Sequence, residues 1–282
     1  MKQLTIIEQR DNNEFTFYDN YLGTILRKFD GFEYATVVDS IDDISGPYGA
    51  AYVNSKFGKR QVTIEGDLVD EDVYAMRRLL SKAIRQTGVM KLWKFTTYDD
   101  LNLQFECEIT KVTNPYTHQV HTFQIQAIAP DWRFYSQDLH TFDISQTLVR
   151  GGLSIPSDMP MSFSSPSSND TAVSNIVENA GNEDTDPIFT ITGPGTNFII
   201  SNITAGKTFT LSRTLSDSDV VVIDVKERTA ILNGVTNVYD DLDGDFWSLV
   251  PGENEIRFLI ESGIDVSLTN LNISYRDAYS GI

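Results

Sequence analysis

Side chains able to do chemistry are sparse and poorly clustered along this chain. Its histidines are His118, His121 and His140, and its one cysteine is Cys107. His118 and His121 stand three residues apart beside a turn pattern, but no spacing nearby supplies the further ligands that a zinc ion needs. They read as exposed polar residues. Cys107 falls on the apolar side of an alternating segment, which makes it a small core residue and not a reactive thiol. Asp241-Leu242-Asp243-Gly244-Asp245 resembles part of a calcium loop, yet Gly244 comes too early and Gly252 stands where the closing glutamate would be. An acidic hairpin turn is expected there. Gly193-Pro194-Gly195 lacks a third glycine and a following helix, so it reads as a turn and not a phosphate cradle. There is no Gly-x-Ser-x-Gly elbow, Walker loop or His-Glu-x-x-His pair, and no pair among the 40 carboxylates stands out as an acid–base couple. No catalytic, cofactor or metal site is expected.

Composition narrows the function further. The 282 residues include 22 Lys plus Arg against 40 Asp plus Glu, a net charge of −18. Nucleic-acid binding needs cations to displace phosphate counterions, and anionic membrane surfaces attract basic segments; neither suits this chain. The deficit is uneven. Residues 1–137 hold 15 basic and 19 acidic side chains, net −4, and residues 138–282 hold 7 and 21, net −14. Two domains are expected, 1–137 and 138–282. Met1 to Glu8 lacks the apolar region of a signal peptide, and the longest aliphatic run, Val220 to Ile223, is far short of a membrane span. A soluble chain without membrane insertion is expected.

Strand signals dominate. Leu101, Leu103, Phe105, Cys107 and Ile109 alternate with polar residues, as do Val62 to Glu65 and Phe123 to Ala127. One helix is predicted over Glu71 to Thr87, with Asp70 as N-cap, Gly88 after its end, and Val73, Met76, Leu80, Ala83 and Ile84 facing inward. Arg78, Lys82 and Arg85 share one side of it, a stripe that reads either as a solvated face or as one suited to an acidic neighbouring subunit. Ile41 to Arg60, with Gly46-Pro47-Tyr48-Gly49, reads as a long loop or irregular arm making a functional contact. Periodicity fades over 136–187, where Ser- and Pro-rich runs at 154–160 and 164–170 are loop chemistry. Short strands then recur over Phe189 to Ile191, Asn197 to Ile203, Lys207 to Leu211, Val220 to Val225, Ile231-Leu232, Glu255 to Ile260 and Val266 to Tyr275. Asn233-Gly234 and Pro251-Gly252 supply turns, which points to an antiparallel sandwich. Tyr239, Phe246, Trp247 and Tyr275 stand beside strand patterns, where core packing is the default; Tyr239 and Trp247 are the candidate glycan contacts if their rings are exposed.

Several separated stretches together resemble siphophage distal tail proteins. They are Gly31-Phe32-Glu33, Gly58 to Leu68, Ala129 to Tyr135, Phe246 to Ile256 with its Leu-x-Pro-Gly-x-Asn-x-Ile phrase, and the final Ile273 to Gly281. Trp132 stands where the family commonly has proline. The resemblance implies a mainly β protein: a ring-forming first domain with one helix, like tail-tube folds, and a peripheral galectin-like or carbohydrate-binding-module-like sandwich. It implies a virion protein that is no enzyme, assembled in the bacterial host cytoplasm. Such a protein forms a hexameric ring, single or back to back, between the major tail tube protein and the tail-tip, tail-fibre or receptor-binding proteins. Pro47, Tyr48, Arg78, Lys82 and Arg85 are the candidate contacts between its subunits. A free-standing carbohydrate-binding protein is the alternative.

Overall fold

The computed structural model describes residues 2–8, 13–18, 23–43, 50–69, 72–84, 89–113, 121–145, 173–262 and 268–281. Two compact units emerge. The first comprises residues 1–138 together with 278–282, and the second comprises 139–277. The second unit is therefore an insertion: the chain leaves the first unit once and returns to it for its last residues.

The first unit contains β1 (Gln3–Glu8), β2 (Asn13–Tyr18), β3 (Gly23–Asp30), β4 (Val37–Asp43), β5 (Ala50–Phe57), β6 (Arg60–Val69), α1 (Val73–Ala83), β7 (Lys91–Thr96), β8 (Asn102–Thr113), β9 (His121–Ala129) and β10 (Phe134–Ser136). Seven strands follow the order β2-β1-β7-β8-β9-β6-β3, all antiparallel. Alternation sets their inner face. Leu4 and Ile6, Phe15 and Phe17, Val62 and Ile64, Trp93 and Phe95, and Leu103, Phe105 and Cys107 are all buried in one core. Burial pushes the Cys107 thiol well above its ordinary range, so it stays a packing group. Glu8 and Lys91 also point inward, at 1% exposure each, and pair at 3.1 Å across the β1–β7 register. Each charge is tolerable there only because the other neutralises it.

The helix is shorter than its periodicity predicts. Asp72, not Asp70, caps it: its Oδ1 accepts the Ala75 N–H at 3.0 Å. Leu80, Ala83 and Ile84 are buried against the core, with Val73 and Met76 partly buried beside them. Asp70 and Gly88 lie outside the described residues.

In the second unit β11 (His140–Ser145), β12 (Val173–Asn179), β13 (Ile188–Thr192), β14 (Gly195–Asn202), β15 (Lys207–Leu215), β16 (Val220–Asp224), β17 (Thr229–Leu232), β18 (Thr236–Asn237), β19 (Leu242–Gly244), β20 (Gly252–Ser262) and β21 (Asn270–Tyr275) make two sheets. Their orders are β11-β21-β13-β16-β17-β18 and β12-β20-β14-β15-β19. Phe189, Phe198, Phe209, Trp247, Leu249, Ile256, Phe258 and Ile273 lie between them as a single buried cluster. Asn233 and Gly234 turn the β17–β18 hairpin with φ of 51° and 71°, the backbone that a type I′ turn requires. The acidic segment at 241–245 is not a hairpin turn. Tyr239–Asp241 forms a single 3-10 turn, and β19 then pairs with β15.

Among the described residues, two strands lie inside the stretch whose periodicity fades. In β12 the inward positions are Val177 and Asn179, and in β11 Ile144 is the one fully buried residue. A polar side chain at a core position hides the alternation. The runs 154–160 and 164–170 lie outside the described residues.

Candidate assembly interface

The last residues of the chain return to the first unit through β22 (Ala278–Tyr279), which pairs with β10 in the register Phe134↔Tyr279 and Tyr135↔Ala278. Arg60, the first residue of β6, fastens that return. Its side chain is 4% exposed and its guanidinium lies 4.1 Å from the centre of the Phe134 ring. Nε donates to the Trp132 carbonyl at 2.8 Å, Nη1 to those of Gly31 at 2.7 Å and Glu33 at 2.6 Å, and Nη2 to that of Ser280. Burial pulls the guanidinium down to about 10, opposed by the negative charge of Asp131, so it remains a cation at neutral pH. Only arginine offers donors in a planar fork that can reach four carbonyls at once. Gly31, with φ of 87°, and Gly281 complete the joint. A Cβ at Gly31 would stand 2.0 Å from the Gln61 oxygen, and one at Gly281 would stand 2.7 Å from Glu33 backbone.

A second buried knot explains the Leu-x-Pro-Gly-x-Asn-x-Ile phrase. Asn254 is fully buried; its Oδ1 accepts from the Val250 N–H at 3.0 Å and Asn202 Nδ2 at 2.9 Å, and its Nδ2 donates to the carbonyls of Val250 at 2.8 Å and Gly252 at 3.0 Å. Leu249 and Ile256 on either side enter the core, and Gly252 takes φ of 89° between them. At the final strand, Tyr275 donates its hydroxyl to the Glu178 carbonyl at 2.6 Å. Asp277 accepts the Ala180 N–H at 2.9 Å and meets His140 Nε2 at 3.0 Å.

The residues expected at subunit contacts belong to other parts of the first unit. Where it is described, the stretch Ile41 to Arg60 is regular and not an irregular loop: β4 and β5 pair as a two-stranded antiparallel ribbon, separate from the main sheet. It reads as a loop because Gly46, Pro47 and Gly49 punctuate its sequence and the residues of β4 and β5 lack long apolar alternation. Val37, Val38 and Phe57 are 47%, 48% and 44% exposed, and Phe57 stacks on Trp132 at 3.8 Å. Pro47 and Tyr48 lie outside the described residues. On α1, Arg78 and Lys82 are both exposed, one turn apart, beside Leu79 and Tyr74 at 49% and 55% exposure. Arg85 lies outside the described residues.

The candidate glycan contacts do not form one surface. Trp247 is 3% exposed and packs on Phe189 at 4.9 Å and Phe209 at 5.7 Å, so no ring face is open to a sugar. Tyr239 is 48% exposed and stacked on Phe246 at 6.0 Å. Asp241 is ion-paired with Arg213. Among the described residues no cluster of three or more His, Cys, Asp or Glu could hold a metal ion, and no helix is long and apolar enough to cross a membrane. His118 lies outside the described residues.

Residues 180–279 match the family described as siphovirus-type tail component, C-terminal domain. The resemblance drawn from the sequence holds. Among solved structures the chain is similar to SPP1 Dit (gp 19.1), described as a paradigm of the hub adsorption apparatus in phages infecting Gram-positive bacteria. The TM-score is 0.64 at 10% identity, with 98% of each chain covered. It also matches a chain of the phage P2 baseplate in its activated conformation with calcium, at TM-score 0.49 and 11% identity over 96% of this chain and 97% of that one. The same baseplate with strontium gives 0.48 and 12% over the same shares. No curated protein matches. The mainly β architecture with one α-helix among the described residues is thus the Dit fold.

Proposed function

We propose that this protein is a structural component of a phage's distal tail, a baseplate hub that acts by assembly and not by catalysis. The observation that carries this reading is the Dit fold over 98% of the chain, together with the tail-component match over 180–279. In this reading the first unit closes a ring of six copies and the inserted sandwich faces outward. The ring joins the tail tube to the proteins that recognise the host, within the virion. A closed ring of identical chains uses two different surfaces of each copy. The β4–β5 ribbon, with its exposed Val37, Val38 and Phe57, supplies one of them, and the basic stripe of Arg78 and Lys82 on α1 supplies another. With −18 on every chain, copies repel at long range, so apolar and paired contacts must offset that repulsion and assembly should depend on salt.

The test is absolute mass by light scattering at several salt concentrations. Six chains of 31.7 kDa give about 190 kDa, and a double ring twice that. A 31.7 kDa species at every concentration and salt would overturn self-assembly. The variant R78E/K82E/R85E should remain folded yet stay monomeric. Rings formed by that variant would remove the helix stripe from the interface.

A further inference from the structure

A half-open cleft of about 410 Å³ lies in the first unit, where the turn after β3, the β7–β8 turn and the returning C-terminal residues meet. Phe29, Phe32 and Leu101 give it an apolar floor, and Tyr98 stands at its edge. Phe32 is buried, but Phe29 and Tyr98 are 36% and 62% exposed, and neighbouring Tyr34 is 77% exposed. Phe29 meets Phe32 edge to face at 6.2 Å. Two part- or well-exposed aromatics lining one apolar cleft, over a buried third in Phe32, have the composition of a binding hot spot and not of an ordinary solvated face.

The rim is acidic. Asp30 and Asp100 nearby are paired with Lys28 and Lys2, whereas Glu33 and Asp99 line the cleft itself. The Thr97 hydroxyl donates to Asp99 and holds its carboxyl below the usual range, with a smaller contribution from the Lys2 cation nearby. The wall at Gly281 is bare backbone, since a side chain there would collide with Glu33 and Tyr34. Carboxylates over an aromatic floor suit a cation on an apolar stem. A guanidinium pairs with carboxylates and stacks on aromatic rings, and its methylenes cover apolar surface. The first unit itself holds 15 basic and 20 acidic residues, and the whole chain carries −18, which favours a partner of opposite charge over a second copy.

We propose that this cleft is a docking site for an arginine flanked by apolar residues, presented by a basic segment of a different polypeptide. This assignment goes beyond the ring and does not depend on it, because every lining residue belongs to one copy.

The experiment titrates the full-length protein with the synthetic peptide acetyl-Gly-Leu-Arg-Leu-Gly-amide, followed by NMR shifts of the Thr97 to Leu101 amides. The same peptide with citrulline, the neutral isostere of arginine, serves as its partner probe. Saturable binding of the arginine peptide is expected, weaker by about tenfold or more for citrulline, the change that losing one charge-assisted contact brings. The double variant E33Q/D99N, both positions exposed, should keep its thermal midpoint and lose affinity for the arginine peptide to the same degree. Equal affinity for the two peptides would reduce the cleft to unspecific apolar adhesion and overturn the proposal. So would undiminished binding to the double variant, or absence of saturable binding at millimolar peptide.

Discussion

Replacing Arg60 by methionine keeps an unbranched apolar stem but shortens the side chain and removes every donor. Four carbonyls then lose their partner, those of Trp132, Gly31, Glu33 and Ser280. Hydrogen bonds to a charged donor contribute roughly 1.5–3 kcal/mol each. Two corrections reduce the sum. Solvent reaches Glu33 and partly reaches Gly31 and Trp132, so water can satisfy those carbonyls in the variant. The guanidinium is also desolvated: burial pulls it down to about 10, and this penalty against the buried cation disappears in the variant. Ser280, at 5% exposure, is left with a carbonyl that water reaches poorly. The net loss expected is about 3–5 kcal/mol, the range seen when one partner of a buried charged contact is removed. For a unit of this size that lowers the melting midpoint by about 10 °C or more. The loss should fall on the first unit alone, because the Arg60 contacts all lie within it. Differential scanning calorimetry combined with hydrogen exchange checks this. Exchange should accelerate at Phe134 to Ser136 and at Tyr279, and hold steady in β13, β16 and β20. R60K, with three donors on one nitrogen, should fall between the two. A first-unit midpoint within about 1 °C of the parent, or an equal loss in both units, would refute the reasoning.

Two further outcomes concern the inserted sandwich. N254A removes four hydrogen bonds from a fully buried side chain and should destabilise the second unit by about 2–4 kcal/mol, read as an earlier urea midpoint for the loss of Trp247 fluorescence. Asp219 accepts from the Ser216 N–H and hydroxyl and from Asn233 Nδ2, which pulls its carboxyl from 3.8 down to about 2. Because the folded value lies below the unfolded one, this contribution is complete above about pH 4 and is lost as pH falls towards 2. Carboxyl NMR titration should place Asp219 near 2, and N233G, which suits the left-handed backbone there, should raise it part-way to 3.8.

Whatever depends on neighbours in sequence was legible in it. Alternation in β6, β8 and β9 marks their inner faces, because side chains point to opposite sides of a strand whatever its partner. Helical spacing locates α1, and Asn233-Gly234 names its own turn. The Gly58 to Leu68 stretch and the Pro-Gly-Glu-Asn phrase were visible as a resemblance, without the reason for their side chains. That reason is tertiary. Arg60 binds a carbonyl 220 residues away, and Asn254 binds Asn202 on another strand. No local pattern signals that an arginine opening a strand will be buried, because its compensation comes from carbonyls that only the fold assembles. Trp247 and Tyr239 show the same limit from the other side. Both are aromatics beside strands, and which of them faces the core depends on how the second sheet packs. The ribbon at Val37 to Phe57 was hidden because its pairing closes no core of its own. Amino-acid order determined the strands, the helix and the acidic character; tertiary packing decided which polar side chains became buried joints and which surfaces stayed open for partners.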